Sequence, residues 1–169
     1  MKTAMWSALV FILVLMGTAQ ALEGPSPRKL QPDYVFLDAR TKTQSLQTQY
    51  LISRLSLHCN EPTTSFDEVV QNGVEDVNYV LRFSAYNFDF DMRDLAEKQL
   101  AYATALSNAL RERIIIIADF ALKRHCLDIA DKYYRKIVVI FTGSTHAAVR
   151  QRAQIGVDDV RSRRSSNVR

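Results

Sequence analysis

Two His-Cys pairs contain the residues of this chain that are best suited to chemistry. His58-Cys59 and His125-Cys126 hold both cysteines and two of the three histidines. Both residue types bind zinc, but zinc ligands are usually spaced about two to four residues apart, and neighbours on a helix point about 100° apart. The pairs therefore predict no metal site, and we expect no cofactor.

The first 21 residues have the pattern of a secretory signal peptide. Lys2 gives a positive start, residues 6–16 form a short apolar run, and Ala19-Gln20-Ala21 is a small-x-small cleavage site. The run is shorter than the roughly 20 residues that span a membrane. We expect cleavage after Ala21 and export to the periplasm, with the extracellular space or a retained anchor as alternatives.

Export makes a disulfide the favoured pairing of Cys59 and Cys126, because oxidising compartments permit such bonds. Cys59 extends a stripe begun by Leu51 and Leu55, and Cys126 follows Leu122 by four residues. Both cysteines are thus expected to face the core at helix ends, with buried free thiols as the alternative.

The remaining chain is predicted to be all-α, as a helical bundle or as short antiparallel helical hairpins. Residues 22–33 contain three of the four prolines and form an extended arm, and residues 34–160 form a single helical domain. After the arm, only Gly73, Gly143, Gly156 and Pro62 interrupt the chain. A β-sandwich needs turn residues about every 8–12 positions, so long helices are the simpler account.

The pattern predicts three helices before the second His-Cys pair. The first covers about residues 38–58, and Leu46 and Tyr50 widen its buried stripe. The second opens at a Ser65–Glu68 capping box. Asp91 caps the third, which is either one rod or two pieces that break near residues 107–108. The second helix is expected to bury Phe66, Val70, Val77 and Leu81, together with Val74 or Gly73.

The turn at residues 87–94 has alternating Asn87, Asp89 and Asp91, as at the start of a calcium loop. It lacks the glycine at the sixth loop position, and Lys98 stands where that loop needs a glutamate. We therefore expect a structural turn whose Phe88 and Phe90 side chains pack inward.

Residues 111–144 carry the most specific pattern. The pattern has two parts. The first is a large, a large, a small and a medium residue at spacings of 3, 1 and 3, and the second is a small residue followed by an aromatic residue four later and an apolar residue three after that. These positions are Ile114, Ile117, Ala118 and Ala121, then Ala130, Tyr134 and Ile137. The pattern resembles one tetratricopeptide repeat, and residues 146–160 are similar to the first helix of a second unit. It departs from the family at Ile137, where alanine is usual, and at His125, where the turn glycine is expected.

The resemblance implies a protein-binding groove, because partner peptides of this family lie against the inner face of the first helices. In this register, the groove residues are Glu112, Ile115, Asp119, Leu122 and Lys123. Two alternatives remain open at this stage. Asp119 and Lys123 are four residues apart and can simply pair on a solvated face, and Ile115 can be a core residue.

An α/β fold is a rival interpretation of the same region. Residues 114–117 and 137–141 are β-branched runs of strand length, and Gly143-Ser144-Thr145 resembles a phosphate-binding turn. The nucleotide-binding motifs GxxxxGK[ST] and GxGxxG do not occur, and the flanking residues are strong helix formers.

The net charge of +4 is concentrated at the carboxyl end. Arg161, Arg163, Arg164 and Arg169 have no acidic neighbour within residues 161–169, which predicts a basic, disordered tail. Contact of this tail with an anionic surface is an alternative to simple solvation, and we expect no nucleic-acid partner.

No G-x-S-x-G or H-E-x-x-H motif suggests catalysis, so a non-enzymatic protein is expected. The favoured function is a protein-binding or scaffold subunit of a cell-envelope assembly. The alternative is an inhibitor or immunity-type protein that neutralises one enzyme, and a lesser alternative is an α/β phosphate-binding protein.

Overall fold

A computed structural model describes residues 28–60 and 62–166, which form five α-helices and no strand. The all-α prediction is therefore confirmed, and the α/β alternative is wrong because residues 114–117 and 137–140 are helical. The predicted signal peptide and most of the arm lie outside the described residues, and residues 28–33 have no regular structure. The helices are α1 (Tyr34–Leu55), α2 (Thr64–Asp89), α3 (Arg93–Lys123), α4 (Leu127–Ile140) and α5 (Ala147–Ser166), with a 3-10 turn at Ser144–His146.

Each helix packs mainly on the next one along the chain, and α1 lies at the edge against α2 and α3. The main core joins the carboxyl end of α1, the amino half of α2, the carboxyl half of α3, and helices α4 and α5. Phe66 of α2 and Tyr133 of α4 meet edge-to-face at its centre, with ring centroids 5.1 Å apart. A smaller cluster of Leu37, Val80 and Ala103 lies at the other end of the bundle.

Helix α1 begins where the Asp33 side chain accepts a hydrogen bond from the Phe36 backbone N–H at 2.9 Å, and it ends at Leu55, before the predicted end. Leu51 and Leu55 are buried as predicted. The prediction that Leu46 and Tyr50 widen the buried stripe is wrong, because both are exposed.

The inward face of α1 carries polar residues in their place. Gln44 is buried, donates to Asp76 at 3.1 Å and accepts from Arg113 at 2.8 Å. Arg40 pairs with the same aspartate at 3.1 Å. Hydrogen bonds and an ion pair to α2 and α3 therefore hold the amino-terminal half of α1 in place.

The N-cap of α2 is Thr63, two residues before Ser65, and the helix begins at Thr64, so the prediction of a Ser65–Glu68 capping box is wrong. Phe66, Val70 and Gly73 are buried as expected. Beyond Gly73 the predicted stripe no longer follows the buried face of the helix, and Leu81 is exposed. The buried positions beyond Gly73 are instead Asp76, Val80, Ser84 and Asn87.

The two turns on either side of α3 have the same construction. Asp91 (φ 56°) and His125 (φ 61°) both adopt the left-handed conformation just after a helix. The N–H of Met92 reaches the Asn87 carbonyl at 2.8 Å, and the N–H of Cys126 reaches the Ala121 carbonyl at 2.8 Å. These bonds define Schellman motifs. Asp91 therefore ends α2, and the prediction that it caps α3 is wrong.

The aromatic residues of the first of these turns point outward. Phe88 and Phe90 are both exposed, so the prediction that they pack inward is wrong. Beyond the turn, α3 is one continuous helix of 31 residues, with no break near residues 107–108.

Helix α5 continues to Ser166, so residues 161–166 are helical where a disordered tail was predicted. Two of the acidic partners lie one turn earlier on the same helix, and the third lies on α4. Arg161, Arg163 and Arg164 pair with carboxylates, at 3.6 Å, 3.0 Å and 2.5 Å respectively. Their partners are Asp158, Asp159 and Asp128. Arg169 lies outside the described residues.

Candidate protein-binding groove

A groove of about 430 Å³ runs between the carboxyl half of α3 and the start of α5. Its lining residues are Arg111, Glu112, Ile115, Ile116 and Asp119 from α3, and Ala148, Val149 and Arg152 from α5. Three of the five predicted binding residues, Glu112, Ile115 and Asp119, are thus brought together here.

The other two predicted residues do not line this groove. Leu122 packs partly against the main core, and Lys123 is exposed at the end of α3. Whether any of these residues binds a partner stays a prediction.

The helical repeat explains why these residues share a face. Residues 112, 115, 116 and 119 follow the i, i+3, i+4, i+7 spacing of one helical face. The opposite face of α3 is fully buried, through Ile114, Ile117, Ala118 and Ala121. The run of four isoleucines therefore divides into two core residues and two groove residues.

The two groove isoleucines differ in burial. Ile115 is partly buried and packs against the main core, which agrees in part with the core alternative. Ile116 is 49% exposed and was not predicted from the sequence, and neither was Val149. The signal for Ile116 was its position four residues after Glu112 on the same face.

Asp119 fixes the end of the groove by joining three helices. Its Oδ1 accepts a hydrogen bond from the Tyr134 hydroxyl at 2.6 Å, and its Oδ2 pairs with the Arg152 guanidinium. Burial, together with this hydrogen bond, raises the pKa of Tyr134. Asp119 therefore bonds across the fold, to α4 and α5, and not to Lys123 along its own helix, which was the alternative left open by the sequence.

Tyr134 is held from its other side by Gly156. A Cβ atom at position 156 would lie 2.5 Å from Cζ of the tyrosine ring, so only glycine allows α5 to approach α4 this closely. This contact holds α5 against α4, and the Asp119–Arg152 ion pair joins α5 to α3.

The disulfide prediction is confirmed. The sulfurs of Cys59 and Cys126 are 2.12 Å apart, and their Cα atoms are 5.0 Å apart. Cys126 is buried as predicted, but Cys59 is exposed. The bond fastens the chain after α1 to the turn between α3 and α4.

The comparisons with known proteins give no relative. No protein-family model matches the chain, and no curated protein or solved structure matches it either. Among the described residues, no group of three or more histidine, cysteine, aspartate or glutamate side chains is placed to hold a metal ion. No described helix has the length and apolar character needed to cross a membrane.

Proposed function

We propose that this chain is an exported, non-enzymatic protein-binding subunit of a cell-envelope assembly, and that it holds a segment of its partner in the α3–α5 groove. The observation that carries the proposal is the exposure of Ile116 in a groove where an apolar floor lies between charged residues.

The chemistry of the groove fits a peptide with apolar side chains and flanking charges. Ile115, Ile116 and Val149 form an apolar floor, and Arg111 and Glu112 place charges of both signs at the rim. Its volume lies in the range of ordinary ligand sites, about 300–1,000 Å³. The resemblance to the repeat family supports the same face, because both groove helices correspond to first helices of repeats.

The test is partner capture from a cell-envelope fraction by the chain that begins at residue 22. Ile116→Asp puts a charge on the groove floor and is expected to abolish capture, while the melting temperature stays close to the unchanged value because Ile116 is half exposed. Val139→Asp is the matched control, since Val139 is 73% exposed on α4 and does not line the groove. Capture that survives Ile116→Asp would contradict the proposed site.

Ile115 supplies a second comparison. Because it packs on the main core, Ile115→Asn should reduce both capture and stability, whereas Ile116→Asp should reduce capture alone. A single soluble enzyme captured in place of envelope components, with loss of that enzyme's activity, would instead favour the inhibitor or immunity-type function.

A further inference from the structure

Helix α1 exposes an apolar stripe along its outer face. Four large apolar side chains are mostly exposed: Val35 (82%), Leu46 (60%), Tyr50 (60%) and Leu57 (64%). Their separations of 11, 4 and 7 residues are about 3.1, 1.1 and 1.9 turns at about 3.6 residues per turn. Val35, Leu46 and Tyr50 therefore lie on one face of α1, and Leu57 lies in the turn that follows the helix.

The stripe is on the side of α1 that faces away from the rest of the bundle. The opposite side holds the buried residues, and α1 is the edge helix of the fold. The buried positions are Leu37, Gln44, Thr48, Leu51 and Leu55. An ordinary surface helix places its apolar stripe against the core and polar residues outside. In α1, two of these five inner residues, Gln44 and Thr48, are polar, and the outer face carries exposed apolar side chains with Lys42, Gln49 and Ser53 between them.

The spacing of the two outermost stripe residues is symmetric about Leu46. Val35 lies 11 residues before it and Leu57 lies 11 residues after it. A two-fold axis at Leu46 would therefore place two antiparallel copies of α1 with Leu46 against Leu46 and Val35 against the Leu57 of the second copy. A self-complementary patch of this kind is what a symmetric dimer requires.

Charge favours the same antiparallel arrangement. Lys42 is the charged residue of the stripe, four residues before Leu46, and Tyr50 is four residues after it. Antiparallel pairing puts each Lys42 beside the Tyr50 ring of the second copy, where a cation is attracted to the ring face. Parallel pairing would instead put the two lysines opposite each other, which is repulsive.

We propose that the chain forms a symmetric homodimer through antiparallel pairing of its α1 helices about Leu46. The occupant of the stripe is a second copy of this chain. The pairing uses a different helix from the α3–α5 groove, so a dimer carries two grooves and can bind a partner with two matching segments more tightly than one subunit does.

Light scattering after gel filtration tests the proposal on the chain from residue 22 to 169. The wild-type protein is expected to have twice the mass of one subunit. Leu46→Glu places two carboxylates at the axis and is expected to weaken the dimer more than about tenfold. Val139→Glu makes the same kind of change at an exposed apolar residue of α4 and should leave the dimer intact. Unchanged circular dichroism spectra would show that both variants fold.

Engineered cysteines test the geometry. Leu46→Cys should link two copies under mild oxidation, because residue 46 meets itself at the axis. Val35→Cys should not link to itself, because the two copies of residue 35 lie about 33 Å apart at opposite ends of the paired helices.

Three results would overturn the proposal. One is an unchanged chain that stays monomeric at its highest soluble concentration. Another is efficient self-linking of Val35→Cys, which requires parallel helices. The third is a monomer that floats with anionic lipid vesicles and loses this binding on Leu46→Glu, which assigns the stripe to a lipid surface.

Discussion

At the scale of single residues, two glycines sit in close helix contacts but meet different neighbours. A Cβ atom on Gly156 would meet ring atoms of Tyr134 at 2.5–2.7 Å, and that ring is fixed by its hydrogen bond to Asp119. The nearest atoms to a Cβ atom on Gly73 would belong to the Leu110 side chain, and the closest is a terminal methyl carbon at 2.7 Å. A leucine end can rotate away, whereas a held ring cannot.

We therefore expect Gly156→Ala to destabilise the fold by about 1–3 kcal/mol, the usual range for an overpacked core. Gly73→Ala should be close to neutral, because the gain of about 1 kcal/mol in helix propensity offsets the shift of Leu110. Urea unfolding of both variants gives the comparison. Equal stabilities would show that Tyr134 is not held as described.

The left-handed residue after α3 provides a second prediction at this scale. His125 has a φ of 61°, which side chains disfavour and glycine accepts. His125→Gly should raise the free energy of unfolding by up to about 1 kcal/mol. Lys123→Gly, two residues earlier inside the helix, is the control and should lower it by a similar amount. A melting temperature that is lower for His125→Gly than for Lys123→Gly would argue against the Schellman motif.

At the scale of helices, Asp67 joins the first turn of α2 to α4. Its carboxylate contacts Nζ of Lys132 at 2.5 Å and Nζ of Lys136 at 3.1 Å. Burial alone would raise the pKa of Asp67, but the hydrogen bonds and charges of the two lysines outweigh it, so the pKa lies below its ordinary value.

This shift predicts the pH dependence of the α2–α4 contact. A carboxyl group with a lowered pKa in the folded state contributes its full stabilisation above the unfolded pKa, near 3.8. The contribution is lost as the pH falls through the lower folded-state value. Unfolding free energies of the unchanged chain and Asp67→Asn should therefore differ at neutral pH and converge in acid. A difference that persists in acid would mean that Asp67 acts through packing alone.

The sequence predicted which segments are helical more successfully than which faces are buried. Apolar periodicity marked the Leu51–Leu55 stripe of α1, but it could not show that Leu46 and Tyr50 lie on the opposite side. The reason is that Gln44 is buried through bonds to Asp76 and Arg113, and those partners are distant in sequence. A helix with polar residues inside cannot be oriented from hydrophobicity alone.

The groove was predicted in part for a similar reason. The repeat pattern placed Glu112, Ile115 and Asp119 on one face of α3, where the structure has them. Ile116 and Val149 depend on where α5 crosses α3. The packing of α5 depends on contacts between residues distant in sequence, such as Gly156 with Tyr134, which no local pattern describes.

At the scale of the whole molecule, the disulfide closes a long loop. Cys59 and Cys126 are 67 residues apart in the sequence. In the chain-entropy model, a loop of this length corresponds to roughly 4 kcal/mol of stability. Reduction of the folded protein should lower the free energy of unfolding by about this amount, and a Cys59→Ala/Cys126→Ala variant should be insensitive to reductant. Denaturant titration with and without reductant measures both, and equal midpoints for the unchanged chain would contradict the prediction.

The exposed position of Cys59 also bears on the order in which the molecule opens. Because Cys59 is exposed, we expect a reductant to reach the bond without unfolding the core. Helix α1 lies at the edge of the bundle, where its amino-terminal half makes polar contacts with α2 and α3 and only its carboxyl end packs in the main core. Cutting the bond should therefore release α1 before any other helix, as a local event rather than a global one. In amide hydrogen exchange, reduction would speed the exchange of α1 far more than that of α3, whose carboxyl half lies in the main core.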